Sequence, residues 1–264
     1  MAAGPEGGAA FTAAEALEVA RRLQEVPSIV LVGGQALNFW AEQFRGDVPE
    51  IDRLAPFESR DIDFLASVRD VEACARCLGG TARYPSIDQV NTPEVGVVHC
   101  ILNGKELKID FLGYLAGLSS DRVREAAIEA TVDGVVLHVM HPINIVRSRI
   151  ANVIQLRRSD ALALRQARTA SYVAAEFIRR AATEDPRIAL DLIEAVLEIA
   201  LSRDGIKAWH AFEIDVFSAM RSFQGLPAAF AERRLPQMLG QLAGKRKRFA
   251  DNQKRRKDRE SSRR

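Results

Sequence analysis

Apolar residues along the first 140 positions alternate between a helical and a strand period, and the switch points locate the elements. Ala16, Leu17, Val19, Ala20 and Leu23 recur at helical spacing between Thr12, a candidate N-cap, and Pro27, a stop signal. Ser28 to Val32 is a short apolar run of the kind that forms a buried strand. Gly33-Gly34 follows it directly, and Gln35 to Phe44 returns to helical spacing, so the order is strand, glycine turn, helix. Arg45 to Ser59, with Gly46, Pro49 and Pro56, reads as a loop. Arg60 to Ala66 alternates polar and apolar, which predicts a strand with Asp61 and Asp63 on one face and Ile62 and Phe64 on the other. Val71 to Leu78 reads as a helix stopped by Gly79-Gly80.

Asn103-Gly104 between two alternating runs predicts a hairpin with a two-residue type I′ turn. That loop length sets the register: Leu102 opposes Lys105, His99 opposes Lys108, and Val97 opposes Asp110. One face then carries Val98, Cys100, Leu102, Leu107, Ile109 and Phe111 toward a core. The other carries Val97, His99, Ile101, Glu106, Lys108 and Asp110 as a polar working face. A last strand, Val135 to Val139, precedes Pro142. Beyond it the pattern is helical throughout, over about 143–157, 160–182, 187–203, 206–222 and 227–243. The reading is an α/β (α+β) domain with a mixed sheet over 1–140, an all-helical domain over 141–244, and a tail over 245–264.

Charge changes the picture only at the end of the chain. Of 37 Lys and Arg, 11 lie in residues 245–264 against 3 of the 35 Asp and Glu, so the tail carries +8 and residues 1–244 carry −6. Apart from Phe249 and Ala250 the tail has little to bury, and the expectation is a disordered segment that attracts nucleic acid or an acidic partner by counterion release, or serves only to solubilise. A hydrophobic fraction of 47% supports a core without staples. Three cysteines and no signal-peptide pattern fit a reducing, cytoplasmic setting. No apolar run reaches the roughly 18–20 residues that would span a bilayer, so no membrane partner is expected.

The candidate chemistry lies in the carboxylates. Two aspartates at i and i+2 on a strand project in parallel and can hold Mg²⁺ (or Mn²⁺), or bridge two ions, against substrate phosphates. A third on a neighbouring strand, Asp110, can complete the set and accept a proton from an attacking hydroxyl. Gly33-Gly34 at a helix N-terminus offers open backbone N–H groups and a positive dipole end to a phosphate chain. Taken singly, an Asp-x-Asp strand is usually a solvated face and a Gly-Gly pair usually a turn. Their combined order carries the reading.

Leu31-Val32-Gly33-Gly34, then Ser59-Arg60-Asp61-Ile62-Asp63, then Lys108-Ile109-Asp110-Phe111 resembles the DNA polymerase β-type nucleotidyltransferase superfamily. More narrowly, the chain is similar to bacterial abortive-infection and toxin–antitoxin nucleotidyltransferases, which place a helical domain after the catalytic one. The resemblance covers residues 28–112 by motif and extends loosely to about 165. It implies phosphate binding by Gly33, Gly34 and Ser59, Mg²⁺ ligation by Asp61 and Asp63, and Asp110 as third metal-binding carboxylate. The implied activity is transfer of NMP from an NTP to a hydroxyl of RNA, protein or a small molecule, with an antitoxin as the partner of a toxin. The alternative is a non-catalytic nucleotide- or nucleic-acid-binding module on a degenerate version of the fold.

The segment Gln35 to Arg60 is longer than usual in such proteins and predicts an insertion near the site. The charged motif that toxin-like members carry in the helical region has as its nearest counterparts Arg147, Arg149 and Arg157-Arg158-Ser159-Asp160. Lys108 with His99, and Arg147 with Arg149, are candidate phosphate ligands; a cross-strand polar pair and solvated helix arginines are the bland alternatives. Cys74 and Cys77, with His99-Cys100, have zinc-site spacing, but the same cysteines fit as buried small hydrophobes.

Overall fold

The computed structural model describes residues 11, 13–57, 59, 61–86, 88, 92–220 and 226–261. Thr12 and Arg60 lie outside them. The chain divides into two compact units, Met1–Ile145 and Val146–Arg264, the first α+β around a mixed sheet and the second helical.

In the first unit, α1 (Ala13–Arg22) is followed by β1 (Val30–Val32), α2 (Gly33–Gln43), α3 (Pro49–Arg53), β2 (Ile62–Leu65), α4 (Val68–Leu78), β3 (Thr81–Arg83), β4 (Glu94–Leu102), β5 (Lys105–Leu112), α5 (Ser120–Glu125), β6 (Ile128–Val132) and β7 (Val135–Val139). The seven strands form one sheet in the order β3-β4-β5-β2-β1-β7-β6. β2 runs parallel to β5 and β1 parallel to β7, while β1 and β2 are antiparallel. The two middle strands, β2 and β1, are therefore enclosed by neighbours on both edges. Ile62, Phe64 and Leu65 of β2 are buried, as are Ile109 and Phe111 of the adjoining β5, and the Phe64 and Phe111 rings stack with centroids 5.9 Å apart.

The hairpin forms in the expected register. Leu102 pairs with Lys105, His99 with Lys108 and Val97 with Asp110. Asn103 and Gly104 take φ of 50° and 78°, the left-handed pair a type I′ turn needs. All six residues assigned to its core face are buried. Five elements depart from the sequence reading. The expected loop over Arg45 to Ser59 contains α3, a single turn that Pro49 opens and that buries Ile51. β3, α5 and β6 were not anticipated: β3 has only three residues, and β6 alternates half-buried with exposed positions on the sheet edge, so its apolar signal is weak. β2 is shorter than the predicted strand, beginning at Ile62, so Asp61 sits in the bend before it.

α6 (Pro142–Ile154) crosses the division between the units. The second unit continues with α7 (Ala161–Glu184), α8 (Pro186–Leu201), α9 (Arg203–Phe212), a 3₁₀ turn at Ser218–Met220, a π turn at Phe230–Arg234 and α10 (Leu235–Ser261). Asp160, Asp185 and Ser202 cap α7, α8 and α9 through side-chain oxygens that accept N–H groups of the first turn. The helix expected over 206–222 ends instead at Phe212. Glu213 takes the left-handed conformation (φ 57°), and the chain turns to bury Ile214, Val216, Phe217 and Met220.

The tail expected to be disordered is a second correction. Residues 245–261 form the C-terminal part of α10. Arg246, 8% exposed, donates from Nη1 and Nη2 to the two carboxylate oxygens of Asp215 at 2.9 and 2.6 Å, and its guanidinium lies 4.8 Å from the Trp209 ring centre. A basic residue that counts against burial by composition here anchors the helix through a two-pronged, partly desolvated ion pair. Phe249 packs edge-on to His210 three residues later.

Candidate active site

The sheet brings the predicted carboxylates together through strand pairing. Asp63 is the Cα partner of Asp110 across the parallel β2–β5 pair, and of Val32 across the antiparallel β1–β2 pair. Val32 leads straight into Gly33, so the register also sets Asp63 against the glycine turn. Gly33 has φ of +67°, and a Cβ built there would lie 2.0 Å from Oδ2 and 2.9 Å from Cγ of Asp63. Both the backbone conformation and the space favour glycine, since any other residue would be strained and would push the Asp63 carboxylate aside. Val32 gives α2 no side-chain cap, and α2 has no acidic residue in its first turn, so the positive end of the helix rests beside Asp63 without charge from its own turn.

Asp110 is 8% exposed. Lys108 Nζ donates to its Oδ2 at 3.1 Å and lies 2.8 Å from Oδ1, off the hydrogen-bonding direction. Burial alone would pull the Lys108 ammonium down, but the bond to Asp110 and the charges of Asp110, Glu94 and Asp61 raise it above its ordinary value. Lys108 is thus a fixed cation. Its interaction with Asp61 also places that exposed residue within the same electrostatic cluster as Asp110.

Glu94 is the residue that sequence reasoning missed. Its carboxyl is pushed above the usual range by burial, then by the Asp110 charge, and by a carboxyl–carboxylate hydrogen bond with Asp110; Lys108 partly opposes this. Strict alternation along β4 puts position 94 with Val98 and Cys100 on the core face. A bulge between Glu94 and Gly96 shifts the pairing so that Glu94 faces Leu112, two residues beyond Asp110 and on its side of the sheet. Gly96 was the available signal: it sits where a Cβ would come within 2.7 Å of Val71 Cγ1.

Ser59 is buried and its Oγ donates to the Asp61 carbonyl at 2.9 Å, while its own carbonyl accepts from Phe11 N–H. It shapes the bend that presents Asp61. His99 is exposed opposite Lys108, as the register required. Gly34 is buried at the start of α2. Arg147 and Arg149 belong to the second unit, where Arg147 lies 3.8 Å from Glu198 and Arg149 donates to Gln166 at 2.9 Å.

Hard oxygen donors and an excess of negative charge suit a divalent cation. Asp61, Glu94 and Asp110 act on one lysine, Asp63 pairs with Asp110 on the next strand, and the raised Glu94 carboxyl marks negative charge that a dication would relieve. As the side chains stand, no group of three or more His, Cys, Asp or Glu among the described residues is gathered closely enough to hold a metal ion. The cysteines do not offer a softer site. Burial pushes the Cys74 thiol up to about 12 and raises Cys100, which lies on the hairpin's core face, so both fit as apolar packing.

Among the described residues no helix is long and apolar enough to cross a membrane. Compared with known proteins, the chain matches no family model, no curated protein and no solved structure.

Proposed function

We propose that the first unit is a nucleotidyltransferase of the DNA polymerase β type, moving NMP from an NTP to an acceptor hydroxyl. The observation that carries this reading is the pairing of Asp63 with Asp110 across parallel strands, with Gly33 pressed against the Asp63 carboxylate at the start of α2. Asp61, Asp63 and Asp110 would hold Mg²⁺ or Mn²⁺, whose chemistry is to neutralise the triphosphate and polarise the α-phosphorus. Gly33 and Gly34 present the helix N-terminus to phosphate oxygens. Lys108 supplies a positive charge next to the reacting group. The acceptor oxygen bonds to the α-phosphorus as the bond to the pyrophosphate oxygen breaks, and the acceptor's proton passes to a carboxylate of the cluster.

Labelled ATP, GTP, CTP and UTP incubated with Mg²⁺ and either RNA, the protein itself or a metabolite pool test the reading. Incorporation by wild type and its loss in Asp61→Asn with Asp63→Asn are expected; an inert wild type, or equal incorporation by the variant, sinks it. The Lys108–Asp110 ion pair favours a second reading, in which a fixed ammonium occupies the place of a metal charge and the unit only binds nucleotide. NTP binding that survives loss of both aspartates, without transfer, selects that one. A toxin role with an antitoxin partner predicts growth arrest on expression that depends on Asp61 and Asp63.

A further inference from the structure

The second unit contains a cavity of about 350 Å³ whose walls include Arg157, Ser159, Lys207, His210, Phe249 and Gln253. No acidic side chain lines it. Among the described residues neither Arg157 nor Lys207 forms an ion pair or a side-chain hydrogen bond, although Lys207 is half-buried on α9. Two cations without a carboxylate partner and an imidazole therefore line one opening, an arrangement that favours an anion there. The walls also carry an aromatic pair: the Phe249 ring stands 5.3 Å from that of His210, edge to face at 71°.

Arg157 adds an independent sign. It follows the end of α6, where Leu156 N–H bonds to Ala151 O and Arg158 N–H to Asn152 O, and it takes φ of +55°. That is the position where helices favour glycine, because a Cβ is strained there. An arginine that lines the cavity is held in the left-handed conformation. Strain of this kind is retained where the side chain has a use.

The helix that supplies Phe249 and Gln253 continues the positive field. Residues 245–261 hold nine Lys or Arg against three Asp or Glu, and Lys245, Lys247, Arg248, Lys254, Arg255 and Arg256 are exposed along α10. A cation-lined track beside an aromatic-walled cavity is the arrangement that suits an unpaired strand, whose phosphates follow the charges while a base stacks on the ring. A duplex keeps its bases stacked inside and would use only the track.

We infer that the second unit binds single-stranded nucleic acid, with Arg157 and Lys207 on consecutive phosphates and one base against Phe249. The inference does not depend on the transfer reaction proposed for the first unit.

The test uses the full chain and a fluorescein-labelled 12-nucleotide strand, its hairpin duplex counterpart, and a strand carrying one 2-aminopurine, titrated from 50 to 300 mM salt. Wild type binds the single strand at least tenfold tighter than the duplex and changes the 2-aminopurine emission. Arg157→Gly with Lys207→Gln weakens strand binding at least tenfold and lowers the log–log salt slope by about 1.4, about 0.7 for each phosphate contact on a single strand. Glycine suits the Arg157 backbone, so this variant keeps the fold; Phe249→Leu abolishes the 2-aminopurine change. Equal binding of duplex and strand, unchanged affinity in the Arg157→Gly, Lys207→Gln protein, or full displacement by equimolar AMP would each overturn the assignment. The last result would make the cavity a mononucleotide site.

Discussion

Replacing Gly33 by alanine tests the geometry on which the candidate active site rests. Two penalties add. A left-handed backbone with a Cβ costs about 1–2 kcal/mol, at a residue whose φ is +67°. The new Cβ would also meet Asp63 Oδ2 at 2.0 Å, and driving the carboxylate off its rotamer adds about 0.5–1.5 kcal/mol. The total is about 1.5–3.5 kcal/mol of lost stability. In an Asp63→Gly background, which also removes the Cβ 3.0 Å away, only the backbone part remains, so the two substitutions are non-additive by about 0.5–1.5 kcal/mol. Urea unfolding followed by Trp40 fluorescence in a Trp209→Phe protein reads the first unit, because the buried Trp40 donates to Met140 O. Equal cost of Gly33→Ala in both backgrounds would show that Asp63 does not lie over the glycine, and the site as described would be refuted. No cost in either background would refute the left-handed turn itself.

Other consequences follow from the same structure. Asp215→Ala leaves the guanidinium of Arg246 buried without its partner and removes the acceptor for Phe217 N–H; breaking a partly buried pair of this kind costs about 2–4 kcal/mol, and hydrogen exchange over 242–249 should accelerate. Unchanged exchange there would show that the ion pair does not hold α10. Burial lowers His141 from 6.5 to about 4, while its Nδ1 accepts the Ile143 N–H. The folded state keeps the ring neutral, so the associated stability is fully present above pH 6.5 and is lost as pH falls toward 4, by about 3 kcal/mol at most. His141→Asn, which retains an acceptor and cannot titrate, should flatten that part of the stability–pH curve; a wild-type slope that persists in the variant assigns it elsewhere. Carboxyl NMR titration should show Glu94 shifting downward in Asp110→Asn and further upward in Lys108→Met, because Asp110 raises and Lys108 lowers it. Identical titrations in the three proteins would separate Glu94 from the cluster.

Local rules made much of this protein legible in its sequence. Asn103-Gly104 admits one tight turn, and with two loop residues the pairing of Val97 with Asp110 and His99 with Lys108 follows from counting, as does the burial of Val98, Cys100 and Ile109. Gly33 after Val32, at the entry to an amphipathic helix, likewise announces itself, since left-handed backbone and close approach both select glycine. What tertiary structure decided lies where an interaction distant in sequence overrides the local pattern. The bulge before Gly96 breaks the two-residue period of β4 and carries Glu94 from the core side to the carboxylate side, a change no alternation rule anticipates. Parallel pairing of β2 with β5 sets Asp63 beside Asp110 across 47 positions of sequence, and only the strand order determines that neighbour. Arg246 carried the composition of a solvated tail, yet Asp215 and Trp209 hold it at 8% exposure, because a charge opposes folding only until a partner and a ring are placed around it.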